Sequence, residues 1–292
     1  MVAVEQFTEL RPLLFGVAYR MLGSVTDAED TVQDAYIRWT GSDRSDVHSP
    51  RAYLTTIVTR LCLDRLKSAR SKREVYVGPW LPEPLVDDRV DSPERATELA
   101  ETLSMAFLVL LEKLSPPERA AFLLREVFDF DYPDIATALE RNEAACRQLV
   151  RRARVRLHRP ERRFGATPAD GDRLREQFLA ATGAGDLPGL VGLLASDAAV
   201  YTDHGGKAAA ARRTLRGADK VARFFVGVTR KFLHASAEIE LHNVNGRPGL
   251  VIFEDGVAVT TASIEVDNGR ITAVYMVRNP EKLRHLRPSQ GL

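Results

Sequence analysis

Three dipeptides, Asn245-Gly246, Asp255-Gly256 and Asn268-Gly269, constrain this 292-residue chain more than any other feature of its sequence. Asn or Asp followed by Gly supplies the two positive-φ residues that a tight hairpin turn demands. The stretches around them, 237–244, 248–254, 257–266 and 271–278, alternate apolar and polar residues with the period of a strand. Three such turns in succession predict an antiparallel meander. Helical spacing of apolar residues at 172–183 and 219–233 precedes it, so residues 166–280 are expected to form one α+β domain, with 281–292 as a tail.

The first 160 residues read differently. Phe7, Leu10, Leu14, Val17, Ala18 and Met21 recur at helical spacing until Gly23 interrupts them. Asp27 opens a second helix in which Ala28, Thr31, Val32, Ala35 and Trp39 share one side, and Arg51 to Arg73 forms a third with Leu54, Ile57, Val58 and Leu61 buried. Residues 1–75 are thus expected to be a three-helix unit. A linker at 76–94 follows, where Pro79, Pro82 and Pro84 rule out a continuous helix. A second helical unit is expected over 95–163.

The two cysteines, Cys62 and Cys146, each fall within a helical pattern and not in a paired spacing, which speaks against a disulfide framework or a zinc site. No apolar run is long enough to span a bilayer, so a cytoplasmic protein without a membrane partner, metal or cofactor is expected. The net charge of +1 hides a segregation. Residues 141–163 carry nine arginines against two glutamates, whereas 76–140 carry fourteen acids against five bases. Basic helices beside acidic flanks suit a chain that touches phosphate with small surfaces and protein with larger ones.

Three constellations carry the functional reading. From Tyr132, a short helix marked by Ile135, Ala136 and Leu139 meets a turn at Glu140-Arg141-Asn142, where Asn142 can cap the next helix. Cys146, Leu149, Val150, Ala153 and Leu157 then make a buried stripe, leaving Arg147, Gln148, Arg151, Arg152 and Arg154 outside. That pattern fits a helix-turn-helix whose second helix reads base edges in the major groove, on a face with hardly any acid; an ordinary surface helix pair is the alternative. In the helix after Pro50, Thr56, Arg60, Asp64 and Lys67 share a face, and Arg70 follows, a polar and basic surface suited to melted DNA as well as to plain solvent. Asp27, Asp30, Gln33, Asp34 and Arg38 lie on an acidic amphipathic helix that, by itself, is an unremarked surface helix.

Together, DAEDTVQDAYIRW (27–39), PRAYLTTIVTRLCLDRLKSARSKRE (50–74) and LSPPERAAFLLREVFDFDYPDIATALERNEAACRQLVRRARVRL (114–157) resemble regions 2 and 4 of extracytoplasmic-function (ECF) sigma factors. The resemblance implies two all-α sigma domains, a region 2 bundle and a region 4 helix-turn-helix, that direct RNA polymerase core to promoters and perform no chemistry themselves. It further implies that Asp27, Asp30, Gln33, Asp34 and Arg38 dock on the polymerase clamp helices. Thr56, Arg60, Asp64, Lys67 and Arg70 would hold the −10 element, and Arg147, Gln148, Arg151, Arg152 and Arg154 the −35 element.

Three more motifs, WLPEP at 80–84, DHGGK at 203–207 and NPEKL at 279–283, look like those of the subgroup that carries a C-terminal SnoaL-like cone. That likeness implies an interdomain regulatory set of Trp80, Leu81, Pro82, Glu83, Pro84, Asp203, Gly205, Gly206, Lys207, Asn279, Pro280 and Lys282, acting in cis with no separate anti-sigma factor required. Lys207 and Glu83 offer an opposite-charge pair for this contact. SnoaL relatives include enzymes, and Asp203, His204 and Lys207 are able to move protons; a tight loop that holds domains together is the preferred reading. Tyr201 and Tyr275 are expected in the core of the cone.

Overall fold

The computed structural model describes residues 2–41, 47–74, 76–87, 102–157, 168–232 and 236–288. It divides into two compact units, 1–75 with 108–160 and 76–107 with 161–292. Among the described residues no helix is long and apolar enough to cross a membrane.

In the first unit, α1 (Val2–Leu22), α2 (Val25–Gly41) and α3 (Pro50–Glu74) pack around Leu14, Val17, Ala18, Val32, Trp39, Leu54 and Val58. Gly23 ends α1 in the left-handed region, its N–H donating to the Tyr19 carbonyl (2.7 Å). Ser24, not Asp27, starts α2, for its hydroxyl accepts from the Asp27 N–H (3.0 Å). The buried stripe of α3 is Leu54, Val58 and Cys62, while Ile57 and Leu61 sit at its margin. Both cysteines are free and buried, and burial pushes the Cys62 thiol up. After α4 (Met105–Leu111), helices α5 (Pro116–Glu126), α6 (Tyr132–Leu139) and α7 (Glu143–Leu157) complete the unit.

The second unit holds α8 (Pro168–Ala184), α9 (Leu187–Leu193) and α10 (Ala218–Phe232) over one sheet, and α11 (Pro280–Leu283) after it. Its strands are β1 (Val86–Asp87), β2 (Leu194–Asp203), β3 (Leu215–Arg216), β4 (Glu238–Val244), β5 (Arg247–Glu254), β6 (Val257–Asp267) and β7 (Arg270–Val277), in spatial order β1-β4-β5-β6-β7-β2-β3. Both residues of every predicted turn have positive φ, from Asn245 (54°) and Gly246 (66°) to Asn268 (50°) and Gly269 (69°). The meander therefore forms as the sequence predicts. Two features lie outside that prediction: β2 runs parallel to β7, and β1, from the proline-rich linker, pairs antiparallel with β4. The helices cover one face of the sheet, where Phe178, Leu190, Val221, Phe225, Ile264, Val274 and Met276 form the core. Helices over one curved sheet are the α+β arrangement that the resemblance to SnoaL-like cones implies. Tyr201 and Tyr275 do not belong to that core. Strand alternation turns them to the opposite face, where their rings stack at 4.9 Å.

Candidate functional site

The turn between α6 and α7 is made by Glu140 at φ 53° and closed by the Arg141 N–H on the Ala136 carbonyl (3.0 Å). Asn142 then caps α7, its Oδ1 accepting from the Ala145 N–H (2.8 Å). Cys146, Leu149, Val150, Ala153 and Leu157 are buried, which leaves Arg147, Gln148, Arg151, Arg152 and Arg154 exposed. The expectation that little acid shares this surface fails. Arg147 pairs with Glu143 (2.7 Å) and lies over the Tyr132 ring, Arg152 reaches Glu118 (3.1 Å), and Arg154 grips Glu126 with two nitrogens (2.8 and 3.3 Å). Arg156 also pairs with Glu118. Glu143 is the first residue of α7 itself, whereas Glu118 and Glu126 come from α5, which packs beside α7, so no pattern within α7 announces those two. Burial works to raise the Glu118 carboxyl, but hydrogen bonds from Ser115 and the charges of Arg156 and Arg152 hold it below the usual range. Gln148 and Arg151 have no such partner among the described residues.

On α3, Thr56 is half-buried and Arg60 is not free. The Arg60 guanidinium donates to the carbonyls of Thr137 (2.6 Å) and Ala138 (3.3 Å) and pairs with Glu140 (3.1 Å). A cation thus meets the carbonyls at the C-terminus of α6. Lys67 pairs with Asp64 (2.8 Å); Arg70 lies in the last turns of α3, and its side chain is outside the described residues. Further ties join the first three helices to the next three. Arg51 donates to the Phe128 carbonyl (2.8 Å) and stacks on Phe130, while the buried Arg119 joins Glu112 to the Met21 carbonyl (both 2.7 Å). The supposed −10 face is therefore engaged within the unit.

On α2, Asp27, Asp30, Gln33 and Arg38 are exposed and Asp34 half-buried. Sequence reasoning missed Arg65 of α3, which pairs with Asp34 (2.8 Å) and lies 3.7 Å from Asp27 and 3.9 Å from Asp30. It also missed Ile37, one turn on from Gln33 and 59% exposed, an apolar centre among these charges.

In the second unit the three short motifs meet at one carboxylate. Asp203, at the end of β2, is fully buried and accepts from the Tyr76 hydroxyl (2.5 Å), the Leu81 N–H (2.7 Å) and the Lys282 ammonium (2.7 Å). Lys282 also donates to the Leu81 carbonyl and stands over the Trp80 ring at 4.3 Å. Burial first, and then the Asp203 carboxylate, push the Tyr76 phenol up. Asn279 caps α11 through the Glu281 N–H (3.1 Å) and donates to the Tyr76 hydroxyl (2.8 Å); Pro280 stays exposed. Gly205 and Gly206 have φ of 55° and 75°, and a Cβ on Gly205 would lie 2.5 Å from the Asn279 amide nitrogen. Leu81, Pro82 and Pro84 are buried, and Glu83 is half-buried. The expected Lys207–Glu83 pair does not form. Lys207 pairs with Glu281, which α11 delivers beside it. Asn245 at the β4–β5 turn adds a second anchor, exchanging backbone and side-chain bonds with Leu85 (2.7 and 3.0 Å).

Two family matches fall on the first unit and its approach: sigma-70 region 2 over residues 6–72 and sigma-70 region 4 over 104–157. The ECF RNA polymerase sigma factor SigJ of Mycobacterium tuberculosis is 38% identical over 291 residues, covering 96% of this chain and 92% of the relative. This chain belongs to the ECF sigma factors. The probable ECF sigma factor SigI of the same organism is 30% identical, over 96% of this chain and 94% of its own length. The crystal structure of SigJ matches with a TM-score of 0.75 and 36% identity, across 96% of this chain and 98% of that one.

In this sigma factor the residues expected at the three motifs are brought together, whereas those on α2, α3 and α7 form separate faces. Tyr76 and Asn245 are the members of the linker contact that sequence reasoning missed. A polar residue just outside a quoted motif was the only available signal for Tyr76. Asn245 was already accounted for by its turn.

Proposed function

We propose that this sigma factor carries core RNA polymerase to promoters through α2, reads the −10 element with α3 and the −35 element with α7, and is regulated in cis by its SnoaL-like domain through the linker. The observation that carries the reading is the capped basic helix α7, which presents Gln148 and Arg151, without a partner among the described residues, on one exposed face behind a tight turn. Arginines held by exposed acids are exchangeable, because such pairs contribute about 0–1 kcal/mol and phosphate competes for them. Arg60 has a different meaning. Its bonds to the end of α6 support a closed resting state in which region 4 occupies part of the −10 surface, so binding to polymerase must separate the two.

The linker contact supports regulation in cis without a separate anti-sigma factor. Two reading heads on one chain bind a promoter as a bivalent ligand, so the reach of the linker sets effective concentration without any new DNA contact. Fixing Tyr76 to Asp87 against the third domain shortens that reach. An enzyme built on Asp203 is the weaker reading, since its carboxylate is fully buried and bonded to three donors. Work with polymerase supports a cytoplasmic location.

Run-off transcription with core polymerase on a cognate promoter tests the proposal. Full-length protein, a chain truncated before Asn279 and a chain truncated after residue 163 are compared. Distinct outputs from the three are expected. Equal outputs make the third domain a passenger, and no polymerase-dependent transcript overturns the reading as a whole.

A further inference from the structure

A strongly basic stretch of the C-terminal unit lies outside all three short motifs. Residues 212–231 carry seven arginines and lysines against one acid, Asp219, in a chain whose net charge is only +1. They run from the loop before β3 into α10, and all seven cations are exposed. On α10, Val221, Ala222 and Phe225 are buried in the core. Lys220, Arg223, Gly227, Arg230 and Lys231 follow one another on the exposed side at helical spacing, so the cations form a stripe along one face. Arg223 pairs with the equally exposed Asp219 (2.8 Å), and Arg216 reaches the Tyr201 hydroxyl (3.4 Å). Arg212, Arg213, Lys220 and Arg230 have no partner among the described residues. The exposed acids on or beside the elements that pack against α10, Glu176, Asp186 and Asp197, are too few to neutralise the stripe. Gly227 lies in the middle of it, and a Cβ there would meet nothing within 4 Å. Packing therefore gives no reason for a residue that weakens a helix interior, and bare backbone at that point lets a partner come close.

The partner of such a face is a repeating anion. An anionic membrane would also need apolar side chains to insert, and the apolar side of α10 is spent on the core; no large apolar side chain of 212–231 is exposed. A protein interface would need an aromatic or aliphatic centre, which this face lacks for the same reason. Duplex DNA asks for neither. From Lys220 to Arg230 the helix advances about 15 Å, along which a duplex presents about nine phosphate charges. We propose that this face of the C-terminal unit is a further DNA contact of the sigma factor, one that holds the phosphates of double-stranded DNA without reading sequence. It goes beyond the parts given to α3 and α7, and it stands whichever residues read bases there.

Fluorescence anisotropy on the full-length protein tests it, with a cognate promoter duplex and a scrambled duplex of equal length titrated over a range of salt. The variant combines Arg212→Ala, Arg213→Ala, Lys220→Ala and Arg230→Ala, the four cations without a partner. It should bind both duplexes at least about tenfold more weakly, by the same factor for each, and its log–log salt slope should be shallower by about 3–4. The preference for the cognate sequence should not change, which separates this face from the base-reading residues of α7. Unaltered affinity and slope in the folded variant overturn the proposal, and so does a loss confined to the cognate duplex. Vesicles of phosphatidylserine and phosphatidylcholine form a second arm. Binding to them that the four substitutions abolish, with duplex binding unchanged, assigns the face to a membrane and overturns the proposal as well. If the variant does not fold, acetylation of Lys220 in the unaltered protein decides. Scrambled duplex should slow it, and an unchanged rate at saturating duplex removes α10 from the DNA.

Discussion

The two units use charge in opposite ways. In the helical unit Arg147 and Arg154 of α7 and Arg60 of α3 are held by acids that reach solvent and by carbonyls at a helix end, although Arg152 and Arg156 meet the buried Glu118. In the C-terminal unit Asp203 is 0% exposed and answered by Tyr76, Leu81 and Lys282. Exposed ion pairs contribute little and exchange readily, while a buried pair that loses one member leaves a desolvated charge behind. The difference teaches where this sigma factor is built to change partners and where it is built to stay fixed. On the proposed reading, the surfaces that would meet DNA are temporarily satisfied, and the linker is anchored.

The sharpest way to break that comparison is Asp203→Ala. Stranding the Lys282 ammonium should cost about 3–5 kcal/mol, read as a lower denaturation midpoint and as protease cleavage appearing between Tyr76 and Asp87. A variant as stable and as resistant as the parent removes the anchor from the account. Next in size is the double reversal Asp30→Lys with Asp34→Lys, which should lose several kcal/mol of affinity for core polymerase through like-charge contact. Circular dichroism must show the helices intact, and an unchanged pull-down of core then refutes docking through α2.

A smaller effect separates the free residues of α7 from the paired ones. Gln148→Ala or Arg151→Ala should weaken binding to a cognate −35 sequence by about 1–3 kcal/mol and leave a scrambled sequence nearly unaffected. Arg154→Ala should weaken both alike and flatten the salt dependence. Matched titrations at two salt concentrations distinguish these patterns, and equal losses on both sequences for Gln148→Ala would take it out of the reading set. The smallest effect belongs to Glu140→Gln, which removes the charged partner of Arg60 but keeps the carbonyl bonds. Stability should change by less than about 1 kcal/mol. A larger loss in urea denaturation means that the tie between α3 and α6 is structural and not exchangeable.

How much was legible follows from the range of each interaction. The turn pairs require no partner, so Asn245-Gly246, Asp255-Gly256 and Asn268-Gly269 could be placed from two residues each. The stripes Cys146–Leu157 and Ala28–Trp39 repeat within one helix, and their exposed complements named the faces of α7 and α2 correctly. Lys207 went to Glu281 and not to Glu83, because α11 presents a carboxylate that was out of view in the chain. Arg65 was overlooked for the same reason, its acids standing on another helix.

The sequence by itself determined the helices of the sigma domains, the meander and the order of the three motifs, because backbone dihedral preference and side-chain periodicity act over a few residues. Only the tertiary structure decided that Asp203 is the hub of the linker contact and that Tyr76 and Asn279 share a bond across 203 positions. It alone placed Arg60 on carbonyls 77 and 78 residues away. The physical reason is that a buried charge is placed by whatever surrounds it in space, and no local pattern in the chain carries that information.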